Sequence, residues 1–368
     1  MNVDNQAAIA EITAPVLPVT PSALDHVVSW FYWLNGQAEP QLPGPDTTTL
    51  TSGSTVIICT YMRAESLNRF LDSLLLQTRL PDSLIIVDAS ADASTEQVVK
   101  HRATDTDAQT IRQILYFRVS GPLKGLTRQR NYGLRWAQTD NVIFFDDDIV
   151  LRPDCLEKME QAYRSDAEHL VGIGALIENA AQGRAEVLMW RIYLWSRMVT
   201  NLRPGRYFRS GIVTLWGDLP HSEEVMQVDW LPGCVTLWNT AIARAVGYNE
   251  GFAGYGLGED LDFSLRASRR GKLAIACGAR VLHFHASGGR PNYFNMGYME
   301  IYNRYQIHRR NLMDRTWRDV VWFAYAWSLD TLLLTRHLLL RQRWRSTFAQ
   351  VLGRGKAAFD LVFKGNSL

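Results

Sequence analysis

The hydrophobic pattern becomes regular at Thr55-Val56-Ile57-Ile58-Cys59, a β-branched run without alternation that suits a strand buried on both faces. Leu67, Phe70, Leu71, Leu74 and Leu75 then recur at i, i+3, i+4, i+7 and i+8, predicting an amphipathic helix capped by Ser66 and ended by Pro81. Leu84-Ile85-Ile86-Val87, closed by Asp88, is a second buried strand, and Ile114-Leu115-Tyr116-Phe117 is a third. A helix is predicted over 127–138, after which Val142-Ile143-Phe144-Phe145 delivers Asp146-Asp147-Asp148. Strand–helix–strand units of this kind build parallel sheets with helices on both faces. The expected fold class is α/β, with a mostly parallel central sheet flanked by helices.

The flanks read differently. Residues 1–52 carry prolines at 15, 18, 21, 40, 43 and 45, which predicts an irregular extension with one short aromatic segment from Trp30 to Trp33. A segment over 183–230 is rich in Trp, Arg and Tyr with weak periodicity and reads as loops around a second substrate. Order returns at Asp229 to Leu237, followed by a short helix from Thr240. The expected organisation is a domain over 53–310, with a Rossmann-like nucleotide half at 53–150 and an acceptor half at 151–310, and C-terminal amphipathic helices over 311–368. In open parallel sheets ligands bind outside the carboxyl ends of the strands, so Thr60, Asp88 and Asp146 to Asp148 should face one crevice.

Composition narrows the possibilities. The chain has 368 residues, 47% hydrophobic and 21% charged, enough for a full core. Its net charge of +2, from 39 basic and 37 acidic residues, gives no general attraction to nucleic acid. Cys59, Cys155, Cys234 and Cys277 are far apart, so neither a zinc site nor a disulfide framework is expected and the thiols read as reduced. No basic region followed by an apolar run opens the chain, so a secretory signal is not expected and a cytoplasmic location is. The apolar stretch from Val320 to Leu340 contains Asp330, Arg336 and His337, and a charge near the middle counts against a spanning helix. Arg309, Arg310, Arg315 and Arg318 precede it and Arg341, Arg343 and Arg345 follow. Two readings stay open: a helix in the headgroup layer of an anionic membrane, and a helix packed on the domain.

Candidate chemistry gathers at four places. Three adjacent carboxylates at a strand end repel one another and need open water or a divalent cation, for which Mg²⁺ or Mn²⁺ are the hard ions that also bring phosphorylated substrates. Gly254-Tyr255-Gly256-Leu257-Gly258 opens into Glu259-Asp260 at a helix start, where carboxylates are stabilised as anions and one can approach a substrate hydroxyl as a base. Ala279-Arg280-Val281-Leu282-His283-Phe284-His285 ends in two histidines, either of which suits Mn²⁺ beside carboxylates, and Gly288-Gly289 follows. Arg128 and Arg130, just after Gly125, suit a diphosphate or a solvated face equally.

The order of these motifs resembles the inverting family-2 glycosyltransferases of the GT-A fold. The resemblance is carried by Cys59-Thr60-Tyr61-Met62-Arg63, Val87-Asp88-Ala89-Ser90, Arg130-Asn131-Tyr132-Gly133, Phe145-Asp146-Asp147-Asp148, Gly258-Glu259-Asp260-Leu261-Asp262 and Val281-Leu282-His283, over roughly residues 54 to 310. It implies that Thr60 and Arg63 lie along the nucleotide and that Asp88 accepts a hydrogen bond from the base. It further implies a D-x-D pair of Asp146 and Asp148, with Asp148 the more direct metal ligand, Asp146 near ribose or metal, Asp147 holding the loop, and His283 completing the Mn²⁺ or Mg²⁺ site. Asp260 would deprotonate the acceptor hydroxyl, with Glu259 orienting that base or the acceptor. The implied substrates are a nucleoside-diphosphate sugar and a saccharide or lipid-linked acceptor, in cell-surface glycan synthesis, with a possible anionic membrane surface as partner. Asp88-Ala89-Ser90-Ala91 departs from the Asp-Asp-Gly-Ser of many members, which obscures the identity of the base.

Two other classes compete. Asp146-x-Asp148-x-Val150 also fits haloacid-dehalogenase-like phosphohydrolases, which would place the aspartates after the first strand of their domain and a lysine near a second acidic pair. A catalytically silent nucleotide-sugar-binding module is the other. A processive synthase would need several spanning helices, and none is expected.

Overall fold

The computed structural model describes residues 27–34, 49–103, 111–180, 184–215, 222, 224–252, 254–285, 290–311, 316–339 and 343–364. The proline-rich parts of the N-terminal extension, Gly288-Gly289, Arg315, Leu340 and Arg341 lie outside them. The strands are β1 (Val27–Leu34), β2 (Thr51–Thr60), β3 (Ser83–Asp88), β4 (Gln113–Val119), β5 (Thr139–Asp146), β6 (Ile149–Leu151), β7 (Leu170–Ile177), β8 (Val225–Val228), β9 (Val235–Asn239) and β10 (Lys272–His283). They join one ten-stranded sheet in the order β1-β4-β3-β2-β5-β9-β7-β10-β6, with β8 also on β10. β2, β3, β4, β5, β7 and β10 run the same way, so the central sheet is mostly parallel, as expected.

The buried runs explain the layers. Val56 and Ile58 of β2 face a core with Leu67, Phe70, Leu71 and Leu74 of α1 (Ala64–Leu75), while Ile57 faces the opposite core with Tyr132 and Trp136 of α3 (Leu126–Trp136). Both sides of one strand are thus covered, and each fully buried isoleucine contributes about 1.5–3 kcal/mol. Between them in sequence is α2 (Ser94–Ala103), and after β6 comes α4 (Cys155–Arg164). α1 starts at Ala64 with Arg63 at its cap position, so Ser66 lies buried inside the helix and does not cap it.

Two flanking segments differ from expectation. The aromatic segment near Trp30 is part of β1, an edge strand antiparallel to β4, so the extension is not irregular over 27–34. The 183–230 region contains a helix, α5 (Arg184–Trp195), whose Trp190 and Tyr193 pack with Met198, Val199, Phe208 and Ile212. α6 (Thr240–Val246) is capped by the Asn239 side chain, and α7 (Glu259–Ala267) follows the glycine loop.

The chain then forms α8 (Tyr293–Asn311), α9 (Trp317–Thr335) and α10 (Trp344–Phe363). No described helix is long and apolar enough to cross a membrane. α8 and α10 touch backbone to backbone: a Cβ on Gly353 would lie 1.9 Å from the Phe294 carbonyl oxygen, and one on Gly297 would lie 2.0 Å from that of Gln350. At the junction Arg354 donates to Glu300 of α8 at 2.8 Å and to Asp330 of α9 at 2.8 Å. Tyr193 of α5 also donates to Asp330, so the acid is held inside a helix cluster.

The crossing gives a paired test. Helix propensity favours alanine over glycine by about 1 kcal/mol. At Gly353 the clash with a carbonyl that cannot step aside outweighs this, and Gly353→Ala should lose about 2 kcal/mol in urea unfolding. Gly355, with nothing within 4 Å of its would-be Cβ, should gain up to about 1 kcal/mol as Gly355→Ala.

Candidate active site

β2 and β5 are parallel neighbours with Cys59 opposite Asp146, so their carboxyl ends open together. Asp146 ends β5, Asp147 and Asp148 turn, and β6 pairs with the last residues of β10, placing Ile149 opposite His283. This short reversal carries the aspartates from the middle of the sheet to the end of β10. His283 Nε2 lies 3.1 Å from Asp148 Oδ1, and one ligand atom each from Asp146, Asp148 and His283 lies within 4.8 Å of the others. Two carboxylates and an imidazole at that spacing fit Mn²⁺ or Mg²⁺.

Asp147 turns the other way. Its carboxylate accepts from Thr60 Oγ1 at 2.6 Å and Arg63 Nη1 at 3.0 Å, while Arg63 also reaches Asp148 at 3.3 Å. Burial pushes Asp147 up to about 6, against the opposing pull of Arg63 and Thr60. Gln129 of α3 donates to the carbonyls of Thr60 and Val87 at 3.1 and 2.8 Å and so ties the ends of β2 and β3.

A cleft of about 450 Å³ opens above these strand ends. Its walls include Thr60, Arg63, Asp146, Asp147, Asp148 and His283, together with Lys124, Tyr255, His285 and Arg290. Lys124 and Arg290 add positive charge that sequence reasoning missed; Lys124 adjoins Gly125 at the start of α3, which was the available signal. His285 is not on the strand with His283, because β10 ends at His283 and residue 285 has φ 51°, but their rings sit 3.9 Å apart.

Behind the cleft, Arg130 is nearly fully buried. Its Nη1 donates to Glu259 at 2.6 Å, and its Nη2 to Asp146 at 3.0 Å and the Gly233 carbonyl at 2.8 Å. The guanidinium lies 5.1 Å from the Tyr248 ring centroid. Arg130 therefore holds protein carboxylates and does not line the cleft as a diphosphate ligand. Arg128 points outward to the Pro122 carbonyl at 3.1 Å and towards Glu250, so the structure does not bring it to the cleft. Asp88 is likewise not brought to it: the residue is fully buried, accepting from the Ser90 amide and the Tyr116 hydroxyl, each at 2.8 Å.

Gly258 adopts a left-handed conformation, φ 86°, that lets the loop turn into α7. Asp260 accepts from the Leu261 amide at 2.8 Å and the Gly233 amide at 3.1 Å. Burial raises its pKa, and those two amides oppose the rise. Glu259 is more deeply buried, and burial raises its pKa while Arg130 opposes. Its Oε1 is bonded to Arg130 and its Oε2 has no hydrogen-bond partner among the described residues. Gly233 is the hinge of this junction, since a Cβ there would lie 2.9 Å from Glu259 Oε1 and 3.0 Å from Asp260 Cβ.

Residues 55–214 match the sequence model of glycosyl transferase family 2. The chain carries a family-2 glycosyltransferase domain. The mannosyltransferase PcManGT from Pyrobaculum calidifontis, solved with GDP-Man and Mn²⁺, aligns over 89% of this chain and 92% of its own, with TM-score 0.52 and 14% identity. That likeness identifies the glycosyltransferase fold as GT-A type. The 1–349 fragment of S. aureus TarS aligns over 78% of this chain and 72% of its own, with TM-score 0.46 and 15% identity. GalNAc-T7, solved with UDP, GalNAc and Mn²⁺, aligns over 71% and 50%, with TM-score 0.49 and 16% identity. No curated protein sequence matches the chain. The phosphohydrolase reading is set aside, because the family match spans Asp146 to Asp148 and strands β2, β3 and β4 precede them within the domain.

The split of the triplet is testable. Mn²⁺ at a hundredfold excess over its Kd should stabilise the protein by about 2.7 kcal/mol. Asp148→Asn and His283→Ala should abolish that rise in melting temperature, whereas Asp147→Asn should retain it.

Proposed function

We propose that the chain moves a sugar from a nucleoside-diphosphate sugar to a hydroxyl of a saccharide or lipid-linked acceptor, by a single displacement that inverts the anomeric centre. The observation that carries this is the meeting of Asp146, Asp148 and His283 at one wall of a cleft that also holds Arg63, Lys124 and Arg290, with Asp260 held behind Gly233 by backbone amides. The donor lies in the nucleotide half, about 53–150, and the acceptor in the half over 151–310. PcManGT was solved with GDP-Man and Mn²⁺, which supports the class of donor and ion.

Asp146, Asp148 and His283 would hold the ion as a D-x-D site with a histidine. Bound there, Mn²⁺ or Mg²⁺ supplies stabilisation of the charge that develops on the departing diphosphate. Arg63, Lys124 and Arg290 attract the same phosphates. Thr60 and Arg63 meet the nucleotide side of the cleft, Arg63 while holding Asp147 in place. Asp260 takes the proton of the acceptor hydroxyl: each of its oxygens keeps a lone pair beyond its amide bond, and burial makes it a stronger base than a free carboxylate. Glu259, bound to Arg130, orients the loop beside it. One base suffices, because attack from the face opposite the leaving group needs no covalent intermediate. The chain acts in the cytoplasm, at the inner face of the membrane, in cell-surface glycan synthesis.

Asp260→Asn should lower kcat about 10²- to 10⁴-fold while donor affinity changes by a few-fold at most. Nucleotide-sugar hydrolysis or transfer assays with donor titration read both quantities. Unchanged turnover would refute the base assignment, and absence of turnover in the parent across a panel of donors and acceptors would favour a binding module. Anomeric analysis of the product tests inversion.

A further inference from the structure

The C-terminal helices leave a large apolar face open. On α10, Trp344, Phe348, Leu352, Phe359, Val362 and Phe363 are each 47–73% exposed. At about 100° per residue they form one stripe roughly 100° wide. The other side of the helix, with Thr347, Gly353, Arg354, Ala357 and Asp360, is buried. α9 repeats the arrangement: Trp317 is 72%, Val321 56% and Leu332 66% exposed, while Phe323 and Ala326 face inward. So much exposed hydrocarbon on adjoining helices marks an interaction surface.

Its rim is basic. Arg345 and Lys356 border the α10 stripe, Arg343 and Lys364 stand at the two ends of the helix, and its one acid, Asp360, is buried and taken by Lys356 and Lys364. Each helix opens with an arginine over a tryptophan, Arg318 at 5.8 Å from the Trp317 ring centroid and Arg345 at 5.3 Å from that of Trp344. Amphipathic rings and arginine heads suit the boundary between acyl chains and anionic headgroups. A second copy of the chain is a poor partner, since it would set one basic rim against another.

We propose that α10, together with the outer face of α9, seats the protein on a lipid leaflet containing anionic headgroups. This rests on the proposed site of action at a membrane and not on the transfer chemistry. The described part of the Val320 to Leu340 stretch contributes, and α10 supplies the larger apolar stripe.

The full chain should co-sediment at low salt with phosphatidylcholine vesicles containing phosphatidylglycerol, and much less with phosphatidylcholine alone. Phe348→Gln combined with Leu352→Gln should reduce partitioning about tenfold or more, and Arg345→Glu severalfold. Melting temperatures should stay unchanged, because these side chains are exposed. Asp260→Asn should bind vesicles like the parent, so loss of transfer activity leaves this proposal standing. Failure to bind phosphatidylglycerol vesicles would overturn it, as would variants that bind equally well or a solution dimer that the double substitution dissociates.

Discussion

The site depends on one buried cation. Arg130 leaves α3 and reaches a carboxylate at the end of β5, a carboxylate at the start of α7 and a carbonyl in the turn before β9. Each of these groups would be costly to bury alone, and removing one partner of a buried pair typically costs about 3–5 kcal/mol because the other charge is left uncompensated. The guanidinium needs its own compensation, which comes from the two carboxylates and from the faces of Tyr248 and Phe144. Gly233 is required at the same point, since any side chain would occupy the space where these groups meet. The aspartate cluster and the Glu259-Asp260 loop are thereby joined in one rigid unit.

That junction explains why the three aspartates differ. Asp146 is shared between Arg130 and the cleft, Asp148 faces His283, and Asp147 is turned inward onto Thr60 and Arg63. Three like charges on consecutive residues are tolerated because Arg130 takes the first while Arg63 lies between the second and third, with Thr60 and His283 adding one contact each. The middle one also ties the loop to β2, so the two carboxylates that face His283 and the cleft are positioned by the one turned away from them.

Buried strands were legible in the sequence because a run covered on both faces shows no alternation, as at Val56 to Ile58 and Leu84 to Val87. β1 was not, because an edge strand hemmed by prolines owes its existence to a partner about 85 residues away in β4. α5 was hidden by weak periodicity, because Leu188, Leu194 and Trp195 stay exposed while Trp190 and Tyr193 pack in a local cluster. The candidate residues were legible by type and order, but not by direction. Arg128 and Arg130 are two positions apart on a helix, about 200° around its axis, so they cannot serve one ligand, and packing decides which turns inward. Asp88 sits at a strand end as expected, yet Tyr116 from the neighbouring strand captures its carboxylate.

The C-terminal helices show how one charge can mislead and then explain. Asp330 argued against a spanning helix, and its structural reason is now visible: it receives Arg354 from α10 and Tyr193 from α5. An acid placed for that purpose fixes which side of α9 faces the protein. It therefore also fixes which side does not, and the exposed tryptophan, valine and leucine side chains of α9 lie there. The glycine crossing does the same for α10, since the Gly297–Gly353 contact leaves its aromatic stripe no room to turn inward. A helix packed on the domain and a helix offered to an interface are thus not rival readings of this segment, because each reading describes a different face of the same helices.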